Sequence, residues 1–303
     1  MALDFLSIVH VNVNCTRLER SLAFYRDALG LLPLSHTNPV PQDGAGFGIA
    51  GRVQWDAWIL HDERGLAAPA IDLLEWKTPA PVGRPARVNE LGFSRLSLSV
   101  RDAAALHARL AAAGSSALST PRALGGGLHG FLARDPDGVL LEFAESADAS
   151  AAPRSAGIVL NVASLEASAP WYERLLGQRA SGPEKHEADG AAFGLEGAAR
   201  WREATFAAGG AFAIRLVQWE EPRPARGPTR LANAVGLYRM ALLVEDAKRA
   251  SAQLDALGLA HSGVVWLDMG PDIPIDGLHA GFFPDPDGAC LEWIERPHPR
   301  GAR

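Results

Sequence analysis

The sequence predicts an α+β protein assembled from four similar modules, each with the order βαβββ. The first observation is a near-repeat: GLHGFLARDPDGVLLEF occupies residues 127–143 and GLHAGFFPDPDGACLEW occupies residues 277–293, an offset of 150. The second is that each half of the chain divides again into two segments of one plan, a strand, an amphipathic helix and further strands. Repeats of this kind indicate one supersecondary unit that is used several times.

The repeat extends through most of the chain. LLEWKTPAP, which begins at residue 73, matches LVQWEEPRP, which begins at residue 216. Likewise SLAFYRDALG (21–30) matches SAPWYERLLG (168–177). The chain accordingly divides into two predicted domains of two modules each: 1–148 (modules 1–80 and 90–148) and 154–303 (modules 154–226 and 234–297).

Local signals predict the elements of the first module. Residues 8–15 alternate in the manner of a strand, and TRLERSLAFYRDALG places apolar side chains on one helical face. Thr16, with Glu19 three residues later, has the pattern of a capping box at the start of this helix, and a glycine ends it. Short alternating stretches around 55–60 and 71–76 predict the strands that follow.

The second module follows the same plan. Residues 94–100 predict a strand, and Asp102 is placed as the N-cap of a helix. Strands follow on either side of DPDG at 135–138, and DPDG recurs at 285–288. Asp, Pro and Gly at these positions are typical of a type I turn that joins antiparallel strands.

Composition bounds the class of function. The chain has 303 residues, 48% of them hydrophobic, and a formal net charge of −6. It has no basic run that would follow a phosphate backbone, so we expect no nucleic-acid partner. No stretch has the length of a membrane span and the start has no signal-peptide pattern, so we expect a cytoplasmic protein with no membrane partner. Cys15 and Cys290 have no paired spacing and are expected as reduced thiols.

The four modules, the SLAFYRDALG helix and RDPDGVLLEF together resemble the vicinal oxygen chelate superfamily, which includes glyoxalase I, extradiol dioxygenases and the bleomycin resistance proteins. The resemblance implies that paired modules curl into half-open barrels of mixed sheet, and we expect one barrel in each half. It also implies a small-molecule ligand in a barrel. We expect the protein to be a monomer or a homodimer.

The same resemblance implies metal ligands on the first and last strands of paired modules. In the first half these positions offer His10, Glu75 and Glu142, with Arg95 where a histidine is usual. In the second half they offer Gly157, Gln218, Arg239 and Glu292. A divalent ion of Fe, Mn, Ni or Zn in the N-terminal barrel therefore stays as an alternative to a protein without a cofactor.

The two arginines argue against metal in both halves. A guanidinium is always protonated and has no lone pair for a metal. One interpretation is that Arg95 with Glu142, and Arg239 with Glu292, form buried salt bridges that fill the barrels. The other is that each arginine binds a carboxylate, phenolate or enolate oxygen of a ligand.

His129 and His279 precede the two DPDG turns and are candidates for acid/base catalysis. The alternative is a histidine whose hydrogen bonds are satisfied by nearby backbone. Trp219 is taken as a tryptophan that lines a barrel beside Gln218 and Glu292 and contacts a flat or aromatic ligand.

Three functions follow. The first is a metal-free protein that binds or modifies an anionic or aromatic small molecule through arginine and glutamate. The second is a divalent-metal isomerase, lyase or extradiol-type dioxygenase that uses His10, Glu75 and Glu142. The third is a resistance protein that sequesters a natural product without turnover.

Overall fold

The structure, a computed structural model, describes residues 2–227 and 231–297. Its strands form two mixed sheets, one of nine strands and one of eight, and each curls into a half-open barrel. The predicted α+β class and the four-module plan are confirmed. Within the described ranges, no helix is long and apolar enough to cross a membrane.

The first half contains modules 1 and 2. Module 1 consists of β1 (Phe5–Cys15), α1 (Leu18–Ala23) with a π-helical continuation (Phe24–Ala28), β2 (Leu32–Thr37), β3 (Gln42–Asp43), β4 (Arg52–His61) and β5 (Ala70–Thr78). Module 2 consists of β6 (Gly92–Val100), α2 (Ala103–Ala112), β7 (Arg122–Gly125), β8 (Leu128–Arg134) and β9 (Leu140–Glu145).

The second half repeats this order. Module 3 consists of β10 (Arg154–Asn161), α3 (Leu165–Leu176), β11 (Ser181–Asp189), β12 (Ala198–Ala207) and β13 (Ala213–Glu221). Module 4 consists of β14 (Gly236–Val244), α4 (Ala247–Ala256), β15 (Val265–Asp268), β16 (Gly277–Pro284) and β17 (Cys290–Glu295). Residues 298–303, the end of the predicted second domain, lie outside the described residues.

The expectation of one barrel in each half is wrong. The nine-stranded sheet has the order β15-β16-β17-β14-β1-β5-β4-β2, with β3 on β4, so it joins modules 1 and 4. The eight-stranded sheet has the order β11-β12-β13-β10-β6-β9-β8-β7 and joins modules 2 and 3. We call these the outer-module barrel and the inner-module barrel. The predicted boundary near residues 148–154 therefore falls between two strands of one barrel, β9 and β10.

The linkers between modules give a physical reason for this pairing. Asn14 Nδ2 donates to two carbonyl oxygens of the linker 222–235 (2.7 and 2.8 Å), and Asn161 Nδ2 donates to two of the linker 79–91 (2.8 and 2.7 Å). The linkers also bond to each other, for example through the Val82 amide and the Asn233 carbonyl at 3.0 Å. Each half thus fixes the linker of the other half.

The DPDG turns hold the two modules of a half together on the outside of the barrels. Tyr25 Oη donates to Asp135 Oδ2 at 3.0 Å, and Tyr172 Oη donates to Asp285 Oδ2 at the same distance. All four side chains are buried. The predicted turns are present, because the Gly138 amide bonds back to the Asp135 carbonyl at 3.0 Å. The repeated DPDG is therefore architectural.

The first backbone amide of each helix donates a hydrogen bond to a side chain of the last strand of its own module. These acceptors and the amides they bind are Glu75 for Leu18 (2.7 Å), Glu145 for Ala103 (2.9 Å), Gln218 for Leu165 (2.8 Å) and Glu295 for Ala247 (3.0 Å). The predicted capping box at Thr16 is wrong, because Thr16 Oγ1 donates to Asp137 of the neighbouring module. Asp102 is the N-cap of α2 as predicted and accepts from the Ala105 amide at 2.8 Å.

Alternation along the strands separates two apolar regions. One face of each sheet packs against the helices in a large shared core. The other face encloses an aromatic interior in each barrel. Phe47, Trp55 and Trp76 lie in the outer-module barrel, and Trp201 and Trp219 lie in the inner-module barrel.

Candidate functional site

Four charged or titratable side chains meet at the base of the outer-module barrel. They are His10 on β1, Asp72 on β5, Arg239 on β14 and Glu292 on β17, between 1% and 7% exposed. The four strands are neighbours in the order β17-β14-β1-β5, and these side chains face the barrel interior. The duplication therefore places ionic groups from both halves of the chain in one site.

Arg239 holds the two carboxylates of this base. Its Nε donates to Glu292 Oε2 at 2.7 Å and its Nη2 to Asp72 Oδ2 at 2.8 Å. His10 Nε2 lies 3.4 Å from the same Glu292 oxygen and 3.8 Å from the same Asp72 oxygen. Asn12 Nδ2 also donates to Asp72 Oδ2, at 3.0 Å.

Electrostatics keeps Arg239 and Glu292 ionised. Burial alone would raise the pKa of Glu292, but the neighbouring Arg239 and His10 together outweigh burial and hold that pKa below its ordinary value. Burial acts to lower the pKa of Arg239, yet the charges of Glu292 and Asp72 raise it above its ordinary value. The guanidinium and the Glu292 carboxylate therefore both carry charge at neutral pH.

Above this base lies a cavity of about 420 Å³ with apolar walls. Aromatic side chains form one part of the wall, and aliphatic side chains from the module 4 loop 269–276 and from β15 to β17 form much of the rest. The principal wall residues are Phe47, Trp55, Leu74, Trp76, Leu267, Met269, Ile273, Ile275 and Leu278. An apolar cavity with a few polar groups at one end is typical of a small-molecule site.

The inner-module barrel has a different base. Glu142, with no exposed surface, accepts from Arg95 Nε (2.6 Å), Arg215 Nη1 (2.5 Å) and Ser97 Oγ (2.9 Å). Arg215 Nε also donates to Glu203 at 3.0 Å. Burial alone would raise the pKa of Glu142, but Arg215 and Arg95 lower it to about 2. Two positive and two negative charges compensate here.

A cavity of about 530 Å³, whose lining mixes polar and apolar groups, opens over this network and includes Ser97, Trp201, Glu203 and Arg215 in its lining. Trp219, predicted as a ligand contact, lies below it, 3% exposed, and donates from Nε1 to Asn161 Oδ1 at 3.0 Å. Trp219 does not line this cavity. Its position is that of a core residue of the barrel.

Several predicted site residues lie on the helical face of the sheets. Glu75 and Gln218 cap α1 and α3, one strand position away from residues that face the barrels. His129 Nδ1 lies 3.0 Å from Glu145 Oε2, and His279 Nδ1 lies 2.6 Å from Glu295 Oε2. Since those glutamates cap α2 and α4, both histidines lie beside helix starts and not in the barrels.

The structure thus brings together His10, Arg239 and Glu292, and it pairs Arg95 with Glu142. It does not bring together His10, Glu75 and Glu142, because Glu75 faces α1 and Glu142 lies in the other barrel. Sequence reasoning missed Asp72 and Arg215. The sequence signal that could have identified them is a charged residue at the same repeat position of two apolar segments, Asp72 in IDLLEW and Arg215 in IRLVQW.

The residues of neither barrel fit a divalent metal ion. Within residues 2–227 and 231–297, no group of three His, Cys, Asp or Glu side chains could hold one. In the outer-module barrel, Arg239 donates to the same two carboxylate oxygens that lie nearest His10 Nε2. A cation there would have to displace a guanidinium that cannot lose its proton.

A protein-family model described as the Glyoxalase/Bleomycin resistance protein/Dioxygenase superfamily matches residues 7–143 and 154–293. Glyoxalase I from Zea mays is similar in structure, with a TM-score of 0.65 and 17% identity over 95% of this chain and 92% of that one. A "putative dioxygenase" from Bacillus subtilis subsp. subtilis str. 168 has a TM-score of 0.67 and 16% identity over 98% and 87% of the two chains. These likenesses support the fold. No curated protein matches the chain in sequence.

Proposed function

The chain belongs to the Glyoxalase/Bleomycin resistance protein/Dioxygenase superfamily, and on this premise we propose that its outer-module barrel binds a small molecule with an aromatic or otherwise apolar body, without a metal ion. The observation that carries the proposal is the contrast between the barrels. One has a cavity with aromatic and aliphatic walls over a buried polar base, and the other has a cavity of mixed polar and apolar lining over a compensated ion network.

The walls determine the body of the ligand. Phe47, Trp55 and Trp76 all line the cavity, with ring centroids 5.4 to 6.1 Å apart and edge-to-face. Burial of apolar ligand surface against such walls is the main favourable contribution, at about 25 cal/mol per Å². A planar apolar molecule satisfies this geometry.

Arg239 acts as an internal cation in this proposal. It neutralises part of the charge of Asp72 and Glu292, and it holds both carboxylates in fixed positions at the base. His10 lies beside these oxygens, and proton exchange with a bound compound would require a rearrangement that exposes its Nε2 to the cavity. A tailoring reaction is therefore the second candidate, and binding without turnover is the first.

A pair of matched substitutions tests the binding site. Ala70 lines the outer cavity and Ala144 lines the inner one, so Ala70→Leu and Ala144→Leu fill one cavity each. The probe is 1-naphthalenemethanol, titrated by calorimetry. We expect binding that Ala70→Leu weakens at least about tenfold and Ala144→Leu leaves unchanged. No binding, or loss of binding only in Ala144→Leu, would overturn the proposal.

Two controls address metal and turnover. Prior treatment with EDTA should leave the dissociation constant unchanged, and dependence on an added divalent ion would contradict a metal-independent site. After long incubation the probe should be recovered unchanged if the protein only binds it. Conversion that His10→Asn abolishes while binding persists would support the tailoring reaction instead.

A further inference from the structure

We infer that the outer-module barrel selects ligands that present a hydrogen-bond donor, a hydroxyl or an ammonium group, to Asp72 and Glu292, and that it discriminates against ligands with an anionic head group. The inference rests on the proposed function and specifies the chemistry of its ligand. It differs from the sequence-based expectation that Arg239 binds an anion.

The base of the outer-module barrel offers no accessible hydrogen-bond donor. Two donors of Arg239 are used by Glu292 and Asp72, and its Nη1 is shielded from solvent although it has no hydrogen-bond partner. Trp76 Nε1 and His10 Nε2 are shielded in the same way. An anionic group in the cavity would therefore find no exposed N–H at the base without a rearrangement of the side chains.

The base does offer hydrogen-bond acceptors. Arg239 and Asn12 bond to Oδ2 of Asp72, and Arg239 bonds to Oε2 of Glu292. The other oxygens, Asp72 Oδ1 and Glu292 Oε1, accept no hydrogen bond from the part of the chain that the structure describes. Both side chains line the cavity, and a carboxylate oxygen left unpaired in an apolar site favours a ligand that donates to it.

The net charge of the base also disfavours an anion. Asp72 and Glu292 against Arg239 give −1 with His10 neutral and zero with His10 protonated, so the base carries no net positive charge in either state. The remaining described cation of the lining, Arg296, is paired with Glu245 at 2.9 Å and half-exposed. His61 Nδ1 lies 3.0 Å from the Gly65 carbonyl oxygen. An anion would thus lose hydration without gaining a compensating charge.

A series of probes on one ring system tests the head group. The probes are 1-naphthalenemethanol, 1-naphthylmethylamine, 1-naphthoate and 1-methylnaphthalene, each titrated at pH 7 by calorimetry. We expect the alcohol or the amine to bind at least about tenfold more tightly than both the carboxylate and the hydrocarbon. The order of alcohol and amine then distinguishes a neutral from a cationic donor.

A charge-removing variant adds an independent test. Asp72→Asn removes one negative charge and keeps the shape of the side chain, so 1-naphthoate should gain at least about tenfold relative to the alcohol. Asp255→Asn, at an exposed position on α4, is the control and should leave the preference unchanged. The melting temperature of each variant shows whether it folds, and if Asp72→Asn does not fold, the probe series alone decides.

The failures are distinguishable. If no probe binds, the proposed function fails. If 1-naphthoate or 1-methylnaphthalene binds as tightly as the alcohol and the amine, and Ala70→Leu abolishes that binding, the site stands and the inference about its head group is overturned.

Discussion

Glu142 of the inner-module barrel gives the sharpest test of the energetics. Its carboxylate is completely buried between Arg95 and Arg215, and these charges lower its pKa from an ordinary 4.5 to about 2. Since each unit of pKa is worth about 1.4 kcal/mol, the ionised group contributes about 3 kcal/mol at pH 7. Glu142→Gln should therefore reduce the free energy of unfolding by about 3 kcal/mol or more, as expected when one partner of a buried ion pair is removed.

The pH dependence of this contribution has a definite sign. The folded pKa lies below the unfolded one, so the contribution is present above about pH 4.5 and is lost as the pH falls toward 2. At pH 3 the advantage of wild type over Glu142→Gln should fall to about 1 kcal/mol. The assay is urea unfolding followed by the fluorescence of the eight tryptophans, at pH 7 and pH 3.

Glu166→Gln is the matched control. Glu166 also pairs with an arginine, Arg202 at 2.6 Å, but it lies on the surface, where solvent screens the pair. Its stability should change little at either pH. The reasoning is refuted if Glu142→Gln is as stable as wild type at pH 7, if its deficit is undiminished at pH 3, or if the exposed control loses as much.

Three further outcomes are expected. Tyr25→Phe and Tyr172→Phe should each lower the free energy of unfolding by about 1 to 2 kcal/mol, because each removes the tyrosine hydroxyl that donates to a buried Asp of a DPDG turn. A variant as stable as wild type in urea unfolding would contradict this. Glu75→Ala should cost about 1 kcal/mol in the same assay through loss of the acceptor at the start of α1, whereas Glu75→Gln should retain most of it. Burial raises the pKa of Cys290 to about 11 and that of Cys15 well above its usual range. A thiol reagent at pH 8 should therefore label both cysteines only after denaturation. Rapid labelling of the native protein would argue against the buried positions of these two thiols.

The sequence predicted the four modules but not which modules pair in one sheet. The duplication of 127–143 at 277–293, together with the common plan of the two segments in each half, predicted four similar units correctly, because a repeat in the chain imposes a repeat in structure. The repeat did not determine which units share a sheet. That choice is linked to non-local hydrogen bonds, such as those of Asn14 to a linker more than 200 residues away.

The candidate site was predicted in part. Pairing of Arg239 with Glu292, and of Arg95 with Glu142, is one of the two interpretations that the sequence left open, and both pairs are present in the structure. Glu75 and Gln218 were assigned to the barrel interior, but alternation on a strand reverses the facing direction at each residue, so a shift of one position moved both to the helical side. Asp72 replaces Glu75 on the interior face.

The most direct measurement of the central claim is an experimental structure of the protein soaked with 1-naphthalenemethanol. We expect the naphthalene ring to pack against Phe47, Trp55 and Trp76 in the outer-module barrel. The hydroxyl should point at Asp72 or Glu292, and Arg239 should still donate to both carboxylates. A probe bound in the inner-module barrel, or a metal ion in place of the Arg239 contacts, would contradict it.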